Sequence, residues 1–126
     1  LIKASDEDLA LLYPGCEPAE RIQGWRASHR SVVLTEGAKG TQLWDRGGTH
    51  VIHRETVAGP IVDTVGAGDT FQAALLAWFS RRGALGRPLA TDEARDLLAF
   101  ATRAAGLCCR QSGCQPPTLA AVLEGS

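Results

Sequence analysis

The run Ser31-Val32-Val33-Leu34-Thr35 sets the strongest constraint on the fold. It is continuous, apolar at its centre and rich in β-branched side chains. A strand with one wet face alternates apolar and polar residues, whereas an unbroken run marks a strand buried on both faces. Leu1-Ile2-Lys3-Ala4 is short and apolar and reads as the end of another buried strand. Between them lie two helical segments. Ser5 offers an N-cap, and Asp8 comes close to completing a capping box for a helix from Asp6 to Leu12. That helix stops before the turn signal Tyr13-Pro14-Gly15. Pro18 to His29 reads as a second helix, with Pro18 near its start and Ile22 and Trp25 on one face.

After the buried run, Gly37 and Gly40 break the chain. Thr41–Trp44 and Thr49–His53 read as two strands joined by the hairpin turn Asp45-Arg46-Gly47-Gly48. From Thr70 to Ser80 the period becomes helical, with Phe71, Leu75, Trp78 and Phe79 at i, i+4, i+7 and i+8. Thr91 is expected to cap a helix from Asp92 to about Gly106, burying Leu97, Leu98, Ala101 and Ala105. Cys108–Pro117 reads as a loop and Thr118–Leu123 as a short closing helix. Strands alternating with helices give an α/β chain, expected to carry a largely parallel sheet.

Composition removes several function classes. The 126 residues are 44% hydrophobic and 21% charged, a globular balance. Thirteen Lys and Arg face 14 Asp and Glu, and no basic block exceeds two residues. A nucleic-acid groove or a polybasic membrane patch therefore has no electrostatic support. No apolar run reaches the ~20 residues that span a bilayer. The chain opens on Leu1 with no signal peptide, so a segment of a longer, cytoplasmic protein is expected. Cys16, Cys108, Cys109 and Cys114 have no zinc or CxxC spacing and read as free thiols. His50 and His53, three apart on a strand, point to opposite faces and do not share a metal. His29 is expected to meet the carbonyls at a helix end. Trp25, Trp44 and Trp78 read as packing residues, and Arg81-Arg82 as a solvated pair.

Chemistry concentrates in Asp63-Thr64-Val65-Gly66-Ala67-Gly68-Asp69-Thr70-Phe71. A strand ends, a Gly-Ala-Gly turn follows, and an amphipathic helix starts. The first N–H groups of a helix lack intrahelical partners, and glycines let an anion approach them closely. The helix dipole adds roughly half a positive charge there. A carboxylate at this mouth, Asp69, either complements the dipole or accepts a proton from a hydroxyl attacking a bound phosphoryl group. Two other glycine motifs are excluded. The dinucleotide fingerprint needs glycine where Phe71 stands, and Gly37-Ala38-Lys39-Gly40-Thr41 lacks P-loop spacing.

The segment Asp63–Phe71 resembles the C-terminal signature DTxGAGDxF of the PfkB, or ribokinase-like, carbohydrate kinases at every defined position. Thr35-Glu36-Gly37-Ala38-Lys39-Gly40 is similar to that family's TxGxxG turn. Phe100-Ala101-Thr102 and Gly113-Cys114-Gln115-Pro116 resemble its late helix and loop, and Lys3–Asp8 resembles its fructokinase branch. The resemblance implies the C-terminal part of a ribokinase-like three-layer α/β/α fold. Residues 1–126 would form one partial domain, the nucleotide-binding and catalytic-base half, without the N-terminal sugar-binding half and lid.

The implied activity is ATP-dependent phosphorylation of a sugar hydroxyl, with fructose as the first acceptor and Mg²⁺ accompanying ATP. Asp69 would be the base and meet the sugar. Gly66, Ala67 and Gly68 would form the anion hole. Ser5, Thr35, Glu36, Gly37, Ala38, Lys39, Gly40, Gly68 and Thr102 would contact the nucleotide. Asp63, Val65, Cys108, Gln111 and Gly113 would hold a monovalent cation, K⁺. Two positions depart from the family pattern: Ser5-x-x-Asp8 stands where Asn-x-x-Glu is frequent, and Thr102 where a relative carries Asn. The implied partners are a small sugar and ATP, with neither nucleic acid nor membrane, and with room for a homodimer. The alternatives are a truncated, catalytically silent nucleotide-binding module, or a kinase for another sugar, a sugar acid or a nucleoside. The isolated segment is expected to be inactive.

Overall fold

The computed structural model describes residues 1–28, 30–55 and 57–125. Its elements are β1 (Ile2–Ser5), α1 (Asp6–Leu12), α2 (Pro18–Ala27), β2 (Val32–Thr35), a 3-10 turn (Gly37–Lys39), β3 (Thr41–Trp44), β4 (His50–His53), α3 (Ala67–Arg82), α4 (Thr91–Cys108) and α5 (Leu119–Glu124). His29, expected at a helix end, lies outside the described residues. The chain divides into two units, Leu1–Arg54 with Gly86–Arg95, and Glu55–Leu85 with Asp96–Ser126.

In the first unit the sheet runs β1-β2-β3-β4. β1 pairs with β2 in parallel, while β2–β3 and β3–β4 are antiparallel. β1–β2 is the parallel pair and β3–β4 the hairpin that the sequence leads one to expect, and β2–β3 departs from the expected parallel arrangement. Connection length is the reason. α1 and α2 fill the β1–β2 link and permit a crossover, whereas the links from 36 to 40 and from 45 to 49 can only reverse the chain. β2 is buried on both faces as its composition requires, with Val32 and Val33 fully buried and Leu34 nearly so. On one face Val32 and Leu34 meet Ala4, Leu9 and Ile22, with Tyr13, Trp25 and Trp44 packed alongside. His50 and His53 do lie on opposite faces of β4, and His50 stacks on Trp44 with centroids 4.7 Å apart. Among the described residues no group of three His, Cys, Asp or Glu is arranged to hold a metal.

Asp45 fixes the hairpin. Its carboxylate is almost fully buried, with Oδ1 accepting from Ser31 Oγ (3.0 Å) and Oδ2 from the N–H groups of Gly47 (2.7 Å) and Leu89 (3.1 Å). Asp45→Ala would strand buried donors. We expect a loss of about 3 kcal/mol, the scale of hydrogen bonds to charge plus unmet desolvation. Urea unfolding should show a lower midpoint at unchanged slope, and an unchanged midpoint would contradict this reading.

In the second unit α3 buries Thr70, Phe71, Ala74, Leu75, Trp78 and Phe79, and ends at Gly83 in the left-handed conformation. From α4, Leu97, Leu98, Ala101, Ala104 and Cys108 are buried, while Ala105 is half-buried. Thr118 caps α5 by accepting from Ala121 N at 3.3 Å. Two expectations change. Thr91 is the first residue of α4 rather than its cap. Arg82 is not simply solvated: it pairs with Asp96 at 2.9 Å, and the same carboxylate accepts from Trp78 Nε1 at 2.8 Å. All four cysteines are free. No helix among the described residues is long and apolar enough to cross a membrane.

Candidate active site

In the second unit, the start of α3 is set by one glycine. Gly66 caps the helix at φ +79°, in the left-handed region that disfavours a side chain. A Cβ at this position would also collide with the Cys114 side chain. Position 66 therefore requires glycine for both conformation and space. The chain turns directly into the helix: Ala67 N donates to the Thr64 carbonyl (3.2 Å), and Thr70 N donates to that of Gly66 (2.8 Å). α3 thus begins three residues before Thr70, where apolar periodicity places it. The N–H groups of Gly68 and Asp69 fall in the first turn, beyond reach of any intrahelical carbonyl. Both residues are exposed. Asp69 is the acidic residue of that turn, and the N-cap carries no side-chain capping bond. An anion-binding helix start and an accessible carboxylate therefore share one turn.

The loop after α4 holds this turn from below. The N–H groups of Val62 and Asp63 donate to the Cys109 carbonyl at 2.8 and 3.2 Å. Gly113 N donates to Asp63 Oδ2 (2.9 Å), and Val65 N to Asp63 Oδ1 (3.0 Å). The Cys108 thiol donates to the Val65 carbonyl at 3.8 Å, and Gln111 N donates to the Cys108 carbonyl at 3.2 Å. Asp63, Val65, Cys108 and Gly113 are thus brought together, with Gln111 attached through Cys108. Backbone donors, first Val65 and then Gly113, hold the Asp63 carboxyl below the usual carboxylate range. One carboxylate among backbone carbonyls is a hard-oxygen donor set, and carboxylate oxygens that already accept one bond retain lone pairs. A carboxylate and backbone carbonyls are the donor type that a hard cation takes. Burial, followed by the neighbouring Cys108 and Asp63, pushes the Cys109 thiol up, which keeps it in its unreactive form. Thr102 lies on α4, half-buried, its hydroxyl buried without a hydrogen-bond partner among the described residues.

In the first unit, Ser5 and Asp8 form a complete capping box on α1. Asp8 N donates to Ser5 Oγ and Ser5 N to Asp8 Oδ2, each at 3.0 Å. Thr35 ends β2, its hydroxyl 3.5 Å from the Ala4 carbonyl. Glu36 accepts from Gln42 Nε2 at 2.7 Å. The turn then closes on itself: Lys39 N donates to the Glu36 carbonyl (3.1 Å), Gly40 N to that of Gly37 (3.1 Å), and Glu36 N to that of Gly40 (2.9 Å). Gly37, Ala38 and Lys39 are exposed at its tip. Gly40 has φ +105°, and a Cβ there would strike the His53 carbonyl.

Sequence reasoning placed Cys114 only within a loop resembling that of the family and assigned nothing to the Cys109 carbonyl, yet both seat the glycine turn. A carbonyl has no sequence signature, and the required glycine at 66 is the signal that something packs close by.

A family model described as pfkB family carbohydrate kinase matches residues 1–121. A fructokinase from Rhizobium leguminosarum bv. trifolii is 37% identical over 78 residues, which is 61% of this chain and 23% of that protein. The ribokinase of Arabidopsis thaliana, solved with ribose and ATP, superposes with a TM-score of 0.73 at 27% identity, over 98% of this chain and 39% of its own. A fructokinase double mutant from Vibrio cholerae O395, solved with fructose, ADP and potassium ion, gives 0.76 at 26% identity, over 98% and 39%. The chain spans about two fifths of the length of these solved relatives.

Proposed function

The chain belongs to the pfkB family of carbohydrate kinases, and from that premise we propose that the protein transfers the γ-phosphoryl group of ATP to a sugar hydroxyl, fructose being the first acceptor to test. The observation that carries this reading is the start of α3, where Gly66 in the left-handed conformation opens a helix end whose first-turn N–H groups lie beside the exposed carboxylate of Asp69. Asp69 takes the proton of the attacking hydroxyl as the bond to phosphorus forms. Gly66, Ala67 and Gly68 surround the transferring group. Because Ala67 N–H is already given to Thr64, Gly68 carries the larger share of that contact. Thr35, Glu36, Gly37, Ala38, Lys39 and Gly40 contact the nucleotide, and Thr102 offers it an unsatisfied hydroxyl. Mg²⁺ bound with ATP neutralises charge on the phosphates. Ser5 and Asp8 complete the α1 cap, and the Ser5 hydroxyl, which accepts there, keeps its own proton to donate to the nucleotide.

Asp63 with the carbonyls of Val65, Cys108, Gln111 and Gly113 would hold potassium, ordering the glycine turn and taking no part in the chemistry. The potassium ion in the fructokinase relative supports this assignment. Potassium should raise kcat of the full-length protein well above its value in sodium, and Asp63→Ala should abolish the response. Equal rates in the two salts would remove the cation role and leave the kinase reading intact. The kinase reading itself is tested by steady-state assay with ATP and fructose, ribose, a sugar acid or adenosine. ATP binding without turnover on any acceptor would favour the silent nucleotide-binding module.

A further inference from the structure

One cross-strand row of the first unit is polar from end to end. Ser5 pairs with Thr35, Thr35 with Thr41, and Thr41 with His53. Directly paired residues lie on the same face of a sheet, about 5 Å apart. The row sits at the carboxyl ends of the parallel strands β1 and β2, where α/β sheets receive ligands. Thr41 is buried, and its hydroxyl has no hydrogen-bond partner among the described residues. A buried hydroxyl left in that state costs stability unless something else satisfies it.

The far end of this row is pressed against the turn read above as the nucleotide contact. A Cβ on Gly40 would strike the His53 carbonyl and lie 3.1 Å from Arg54 Cα and 3.3 Å from Arg54 Cγ. The Arg54 side chain therefore starts directly beside Gly40. It is exposed, and no carboxylate pairs with it among the described residues. Gln42 holds the Glu36 carboxylate at 2.7 Å, which leaves Glu36 charged but tied down, and Lys39 and Arg54 are cationic side chains at this turn among the described residues. A guanidinium presents a planar fork of donors that matches phosphate oxygens, and it keeps its charge at any working pH.

We propose that Arg54, seated with His53 against Gly40, is a phosphate-binding residue of the nucleotide site, reaching the polyphosphate of the donor and not its base. The inference rests on the reading of Thr35–Gly40 as the nucleotide turn. It is tested by calorimetric titration of the full-length protein with ATP, ADP and adenosine. Arg54→Gln should raise the Kd of ATP and of ADP about 10-fold, the worth of a charge-assisted hydrogen bond, while that of adenosine stays within about twofold. Arg54→Lys should recover part of the loss, since it restores the charge without the fork. Arg54 is exposed at the end of β4, so both variants should fold, as circular dichroism will report. Unchanged ATP binding in Arg54→Gln, or an equal loss for all three ligands, overturns the proposal. Wild-type protein that binds none of the three overturns the nucleotide reading itself.

Discussion

Replacing Asp69 by Asn in the full-length protein is expected to leave ATP binding intact and to lower turnover by about 10²–10⁴-fold, the usual worth of a positioned general base. Asn preserves shape and can still accept a hydrogen bond from a backbone N–H, so the substitution removes the charge and the basicity while keeping the rest of the side chain. The structure sharpens this test. The N-cap is Gly66, which has no side chain to offer, so Asp69 is the one acidic side chain of the first turn of α3 and the residue on which the two roles must be separated. A near-normal kcat in Asp69→Asn would return the residue to a dipole-complementing role, whose loss costs about 0.3–1 kcal/mol at an exposed site.

Gly68→Val should be nearly as damaging. Gly68 lies within α3, in a backbone conformation that valine can adopt, so the helix should still form. A branched side chain at the second helical residue holds the phosphoryl group away from the first-turn N–H groups. Loss of one such donor costs about 10²–10³ in kcat, with a smaller effect on ATP affinity. Single-turnover kinetics separates the two quantities. Full activity in Gly68→Val would place the anion hole elsewhere.

Much of the fold was legible because it is written in short-range chemistry. The Ser5–Asp8 box, the Asp6–Leu12 helix, the Thr41–Trp44 strand and the Asp45–Gly48 turn follow from local residue types, and each is observed. The start of α3 was misplaced because apolar periodicity begins only at Phe71, whereas the backbone enters the helix at Ala67 once Gly66 turns left-handed. Strand direction was legible for the β3–β4 hairpin but not for β2–β3. Apolar content reports burial, but the shortness of the link at 36–40 decides for antiparallel pairing of β2 with β3. At the candidate site, glycines and carboxylates could be read from their types. The Cys109 carbonyl and the packing of Cys114 on Gly66 could not, since they depend on residues more than forty positions apart meeting in space.

The account stands or falls on phosphoryl transfer at the turn that carries Asp69. ³¹P NMR of the full-length protein with ATP, Mg²⁺, K⁺ and fructose follows that transfer directly. The expected spectrum gains ADP and one sugar phosphomonoester in equal amounts, and Asp69→Asn shows neither on the same timescale while still binding ATP. Bound ATP that yields no phosphomonoester with fructose or with any other sugar, sugar acid or nucleoside hydroxyl, or transfer that proceeds undiminished in Asp69→Asn, would contradict it.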